Sequence, residues 1–115
     1  MKYNVKNIGG VKAVIQVVED VELKDLNKLA TKLLQEKTAE IVLLAAEEPR
    51  PGILFARVSD ERLPDLRTVL EATQDLFGGK GGGSPDRVQA GGTDSKGLLP
   101  ALEKAKNLIM RHTVK

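Results

Sequence analysis

Lys80 and Arg87 lie within residues 78–92, a fifteen-residue stretch that holds seven of the chain's 11 glycines. Ordered glycine loses more backbone entropy than any other residue. Such a cluster is therefore either left disordered or kept for backbone angles and close approaches that a side chain would forbid. With two cations inside it, the chemistry on offer is anion binding. Consecutive backbone N–H groups can form a concave nest for phosphate or carboxylate. Lys80 would add a mobile point charge, and Arg87 a planar fork able to hold two phosphate oxygens. A flexible linker is the competing reading, and for each cation taken alone so is a plain solvated surface residue. Linkers, however, are Gly/Ser runs between separate units. This stretch contains Pro85, Arg87, Val88 and Gln89 and lies between segments with apolar periodicity, so an ordered loop is expected.

Two familiar phosphate cradles fail on the residues. The Walker A pattern needs Ser or Thr after Gly-Lys, but Gly79-Lys80 is followed by Gly81. The dinucleotide fingerprint needs glycine at its sixth position. Counting from Gly79 that position is Ser84, and from Gly81 it is Asp86. Both motifs also join a strand to a helix, whereas this loop follows a helical stripe. Catalytic chemistry is equally thin. The lone His112 reads as a solvated helix-end residue, Glu47-Glu48 as a turn, and Asp86 as a turn residue after Pro85. No spacing of His and carboxylates suggests a metal site. The absence of cysteine removes thiolate zinc sites, disulfides and thiol nucleophiles.

The elements that must position the loop follow from periodicity. Residues 5–8 and 11–18 are rich in β-branched side chains and are split by Gly9-Gly10, the signature of a hairpin. Leu23, Leu26, Leu29, Ala30, Leu33 and Leu34 have helical spacing across residues 22–37. The apolar run 41–46 predicts a buried strand, residues 47–52 a turn, and residues 53–58 a strand pairing back on it. Leu66, Val69, Leu70, Thr73 and Phe77 predict a helix with Pro64 in its first turn and Gly78 as a left-handed cap. Val88-Gln89-Ala90 predicts a very short strand inside the glycine segment. Leu98, Leu99, Leu102, Ala105, Leu108 and Ile109 mark a last helix, with Pro100 near its start. The expected fold class is α+β, a single mixed β-sheet with three helices in the order ββαββα–glycine-rich loop–α. Residues 1–115 are read as one domain.

Charge is uneven along the chain. Residues 1–18 sum to +3, residues 19–77 to −5 and residues 78–115 to +4, giving the formal net charge of +2. If the ends meet in the fold, they form a moderately basic face. Only Tyr3, Phe55 and Phe77 are aromatic. Contact with a nucleic acid would then rest on backbone and shape, with little base stacking. No apolar run approaches the ~20 residues of a spanning helix, so no membrane partner is expected, and the composition suits a cytoplasmic setting.

At residues 78–92 the sequence Gly-Gly-Lys-Gly-Gly-Gly-Ser-Pro-Asp-Arg-Val-Gln-Ala-Gly-Gly, with Leu99-Pro100-Ala101-Leu102 soon after, resembles the DHH-associated domain that closes bacterial alanyl-tRNA synthetases. The resemblance extends over essentially the whole chain. Ser84 stands where that family often has a basic residue, and Val88 where it often has alanine. The resemblance implies a non-catalytic, cofactor-free module that contacts the outer corner of the tRNA for alanine. Its nucleic-acid-binding residues would be Gly79, Lys80, Gly81, Gly82, Gly83, Arg87, Gln89, Gly91 and Gly92. Further partners would be the aminoacylation and editing domains of the same synthetase, whose work on one tRNA it helps to link. Two alternatives stay open. One is the phosphate-binding half of a DHH-type phosphoesterase, whose Asp-His-His half this chain lacks. The other is a dimerisation module pairing two copies of the chain as a homodimer.

Overall fold

The computed structural model describes residues 3–19, 21–48 and 50–113. Strands β1 (Val5–Ile8) and β2 (Val11–Val18) form the expected hairpin, paired antiparallel from Ile8↔Val11 outward. Gly9 and Gly10 at its tip have φ of 60° and 88°, angles that disfavour any side chain. The Asn7 side-chain oxygen accepts the Gly10 N–H at 2.9 Å. Helix α1 (Leu23–Gln35) then crosses over to β3 (Ile41–Ala46), which lies parallel to β2, as a parallel pair requires of its connection. All six β3 residues are buried, because helices cover both faces of the sheet there. β4 (Gly52–Arg57) returns antiparallel to β3.

Helix α2 (Leu66–Thr73) starts later than expected. Asp65 is its N-cap, with a carboxylate that accepts the Arg67 N–H at 3.0 Å, so Pro64 lies just before the helix rather than in its first turn. A capping carboxylate satisfies an N–H left open at the helix start. A 3₁₀ turn (Gln74–Phe77) ends at Gly78, which adopts the expected left-handed conformation with φ 65°. Helix α3 (Leu98–Thr113) closes the described chain, with Pro100 in its first turn. Its buried stripe is Leu98, Ala101, Leu102, Ala105 and Ile109. Leu99, expected in that stripe, is 61% exposed; with Leu98 facing inward, helical spacing brings Ala101 and Leu102 to the same side and leaves Leu99 off it.

The glycine-rich segment departs most from expectation. In place of a loop with one short strand, it is a second hairpin of β5 (Lys80–Ser84) and β6 (Arg87–Gly91) around the two-residue tip Pro85-Asp86. β6 inserts between β4 and β5, so the six-stranded sheet runs β1-β2-β3-β4-β6-β5. Three glycines in five residues hide a strand from any propensity argument. The mixed sheet and α+β class hold; the short strand expected at Val88-Gln89-Ala90 is β6, and β5 is the strand not expected.

Two cores result. Ile8, Val11, Ile41, Leu43, Phe55, Val88 and Ala90 pack beneath α2 and α3. Val14, Val42, Leu44, Leu54 and Ala56 pack on the other face against Leu26, Ala30 and Leu33 of α1.

Candidate nucleic-acid interface

The hairpin's register sorts its side chains between the faces. Val88 and Ala90 belong to the core under α2 and α3. Arg87, Gln89 and Gly91 alternate with them and face the α1 side, because successive strand residues point to opposite faces. Cross-strand partners share a face. On the α1 side, β4, β6 and β5 therefore present three successive rungs: Gly52, Gly91 and Lys80; Leu54, Gln89 and Gly82; Ala56, Arg87 and Ser84. Helix α1 lies over β3 and β4. It stops short of the outer rungs, and Lys80, Gly82, Ser84, Gln89 and Gly91 are exposed.

Glycine has separate causes at these positions. A Cβ on Gly81 would lie 1.9 Å from the Gln89 carbonyl oxygen, and one on Gly83 2.1 Å from that of Arg87. Those two glycines let β5 close onto β6. A Cβ on Gly79 would meet the Phe77 ring at 2.5 Å, and one on Gly92 the same ring at 2.3 Å; that pair lets the hairpin's base wrap Phe77. The Gly79 N–H donates to Gln74 O at 2.7 Å and the Gly92 N–H to Pro51 O at 2.8 Å. Gly82 and Gly91 differ. Neither has a positive φ, and a Cβ on either would meet nothing within 4 Å. The protein's own packing gives no reason for glycine at these two positions, and both lie on the α1-side face.

The nest expected of consecutive glycine N–H groups is replaced by a ladder. β6 pairs on both sides, so its backbone is committed to β4 and β5. What remains for a ligand is the smooth face, the outer edge of β5 and the two cations. Lys80 and Arg87 stand two rungs apart, about 14 Å along the strands. Lys80 forms no ion pair among the described residues. Arg87 is anchored: one guanidinium nitrogen donates to the Asn27 carbonyl at 3.2 Å and makes a short hydrogen bond to the Asn27 side-chain oxygen. Its other N–H groups are left for a ligand. Ser84 Oγ donates only weakly, at 3.5 Å, to the Arg87 carbonyl.

Two depressions border the face. One, of about 290 Å³, runs between α1 and the hairpin and is lined by Asn27, Gly82, Ser84, Arg87 and Gln89. The other, of about 370 Å³, lies at the opposite end, where Leu23, Ala46, Arg50, Pro51, Gly52 and Gly91 meet. Asn27 and Arg50 were not singled out from sequence. Asn27 sits 60 residues from its partner, and no local signal links such positions.

The hairpin tip is held from behind. Arg57 pairs with Asp86 at 3.2 Å and donates to Pro85 O at 3.1 Å, with only 10% of its side chain exposed. Leu66 N–H donates to the same Pro85 carbonyl at 2.9 Å. Asp86 thus serves as an ion-pair partner for Arg57, whereas the sequence suggested only a turn role. These bonds tie the hairpin tip to β4 and to the start of α2.

Titratable groups with displaced pKa values lie on the β4–α2 connection. Hydrogen bonds from Arg62 hold the Asp60 carboxyl down at about 2, and those from Arg67 lower Asp65. Neither is raised, so neither is poised as a proton donor. His112 is exposed in the last turn of α3, and Glu47 and Glu48 are exposed in their turn. Among the described residues, no group of three or more His, Asp or Glu could hold a metal, and no helix is long and apolar enough to cross a membrane.

The profile of the DHHA1 domain matches residues 10–111. Alanine–tRNA ligase of Anaeromyxobacter dehalogenans is 40% identical over 109 residues, covering 92% of this chain and 12% of that protein. The ligase of Saccharophagus degradans is 35% identical, covering 90% and 12%. The chain therefore spans about 12% of the length of the curated relatives it matches. Among solved structures, the C-Ala domain from Aquifex aeolicus alanyl-tRNA synthetase superimposes with a TM-score of 0.82 at 22% identity, covering 93% of this chain and 98% of that one. RecJ from Thermus thermophilus, in complex with Mg²⁺, superimposes with a TM-score of 0.66 at 13% identity, over 86% of this chain and 15% of its own. At these identities the superpositions speak for the fold. The six-stranded sheet, the glycine hairpin inserted beside β4 and a profile match over nearly the whole length lead to one assignment: the chain belongs to the DHHA1 domain family.

Proposed function

We propose that this chain is a non-catalytic tRNA-binding module of an alanyl-tRNA synthetase. The exposed α1-side face of β6 and β5 lies against the sugar–phosphate backbone at the outer corner of the tRNA for alanine. The observation that carries the reading is the pair Gly82 and Gly91. Both are glycines without a packing reason, and they lie on a face flanked by the cations Lys80 and Arg87. A bare backbone lets a ribose-phosphate chain approach closely. Lys80 supplies a phosphate contact, the free side of Arg87 a second, and Gln89 between them a donor and an acceptor for ribose hydroxyls. Gly79, Gly81, Gly83 and Gly92 shape the hairpin that holds this face. Sequence likeness to alanine–tRNA ligases supports tRNA as the ligand and supports the aminoacylation and editing domains as covalent neighbours. The module acts without a cofactor. With few cations on the face, affinity is modest, and tethering to a synthetase body raises the effective concentration.

The test is a titration of labelled tRNA for alanine with the chain over a series of salt concentrations. Binding should weaken steeply with salt. Lys80→Ala should weaken it at every concentration and reduce the salt slope by about 1. Affinity no better than that of an unrelated protein of equal charge would overturn the reading. Preference for single-stranded DNA over folded tRNA would favour the phosphoesterase alternative, which the fold shared with RecJ keeps in view.

A further inference from the structure

We propose that the 370 Å³ depression at the Gly91 end of the face receives one unstacked nucleobase, with the adjoining phosphate held over Lys80; this rests on the RNA-binding reading above. The pocket exists because two glycines meet across strands. Gly52 and Gly91 are register partners, so β4 and β6 carry no side chain at this rung, between Ala46 on β3 and Lys80 on β5. At Gly52 a Cβ would sit tight, 3.3 Å from the Ala90 carbonyl oxygen, and in ordinary contact, at 3.5 Å, with Leu23 Cδ1, which forms the back wall. At Gly91 the space stays open to solvent. Leu23, Ala46 and Pro51 supply apolar walls, and Arg50 and Glu22 stand at the rim.

These surroundings suit a flat, largely apolar ring with polar edges better than they suit a phosphate. The Glu22 carboxylate would repel an anion in the pocket, although Lys24 partly offsets it at 3.4 Å. It accepts readily from the amino or imino groups of a base. Arg50 carries a planar guanidinium that can stack on a base face. The phosphate belongs one strand further out, where Lys80 completes the Gly52–Gly91 rung about 5 Å away. The volume lies near the lower end of ligand pockets, about 300–1,000 Å³, which admits a single nucleoside and excludes a helix. Phe55 and Phe77 are buried. Base recognition here therefore uses aliphatic walls and a guanidinium in place of the aromatic platform of sheet-based RNA readers.

The experiment titrates the isotope-labelled chain with each of the four nucleoside 5′-monophosphates at millimolar concentration and follows amide signals by NMR, with ribose 5-phosphate as control. At least one nucleotide should shift Leu23, Ala46 and Gly52, while ribose 5-phosphate moves only signals around Lys80 and its register partner Gly91. Gly91→Val fills the pocket on an extended strand that tolerates a β-branched residue. It should abolish those shifts and weaken tRNA binding about tenfold with no loss of thermal stability. Equal shifts of Leu23, Ala46 and Gly52 from ribose 5-phosphate, or none at these three residues from any nucleotide, would overturn the base pocket. If tRNA still binds in a Lys80-dependent manner, only the pocket assignment falls. Nucleotide shifts without tRNA affinity would sustain the pocket and remove tRNA as its source.

Discussion

Replacing Gly82 or Gly91 with alanine should raise stability and lower affinity, a combination that separates a ligand-facing glycine from a structural one. Both residues have backbone angles that alanine accepts and open space around the new Cβ. Removing glycine's excess freedom from the unfolded chain stabilises by about 0.4–1 kcal/mol. For a domain of this size that raises the Tm by roughly 2–5 °C. The new methyl stands about 1.5 Å off the backbone, enough to hold an RNA backbone away from its contacts. Losing one or two net hydrogen bonds of about 1 kcal/mol each weakens binding about five- to thirtyfold. Gly81→Ala is the matched control. Its Cβ would sit 1.9 Å from the Gln89 oxygen and 2.6 Å from the Ala90 Cα. The strand must shift, at a cost of about 2–4 kcal/mol. Thermal melts and tRNA titrations on the three variants provide the comparison. Wild-type affinity in both Gly82→Ala and Gly91→Ala would remove this face from the interface. Wild-type stability in Gly81→Ala would refute the account of how β5 closes on β6.

Arg87→Ala should cost about 1 kcal/mol of stability through its lost bonds to Asn27 and also lower the tRNA salt slope by about 1. Asn27→Ala removes only the side-chain bond, since its backbone carbonyl still accepts from Arg87, and should cost less stability than Arg87→Ala while leaving the slope nearly unchanged, which a joint denaturation and titration series would read. Arg57→Met should destabilise by about 2–3 kcal/mol, because it removes the guanidinium bonds to the Pro85, Val58 and Asp60 carbonyls and the ion pair with Asp86 that pin the hairpin tip, leaving only the Leu66 N–H on Pro85. Asp86→Ala, which removes a half-exposed partner, should cost less than about 1 kcal/mol in urea unfolding. The folded-state pKa of Asp60 is held down at about 2 against an ordinary 3.8. Its contribution is therefore fully present above pH 4 and is lost as pH falls from 4 toward 2. Asp60→Asn should flatten part of the decline in Tm across that window, and an unchanged decline would show that the Arg62 contact contributes nothing.

Local pattern was enough for β1, β2, β3 and the hairpin turn Gly9-Gly10, because β-branched runs and paired glycines have one short-range solution. It was enough also for α1 and for Gly78 as a left-handed cap, whereas the parallel pairing of β2 with β3 appears only in the sheet. The glycine-rich segment was legible as ordered and as the place where cations gather, and its residues carried the family resemblance. Its form was not legible. Glycine has no side chain with which to signal a strand, and β5 exists only because β6 is already held between β4 and the edge. The sorting of its glycines is likewise tertiary. Gly81 and Gly83 answer to carbonyls across the hairpin, Gly79 and Gly92 to the ring of Phe77, while Gly82 and Gly91 answer to nothing in the protein. Sequence order treats these six alike. Register, which decides the face each residue shows, and the reach of α1, which leaves that face half uncovered, arise only when segments up to 60 residues apart are packed together.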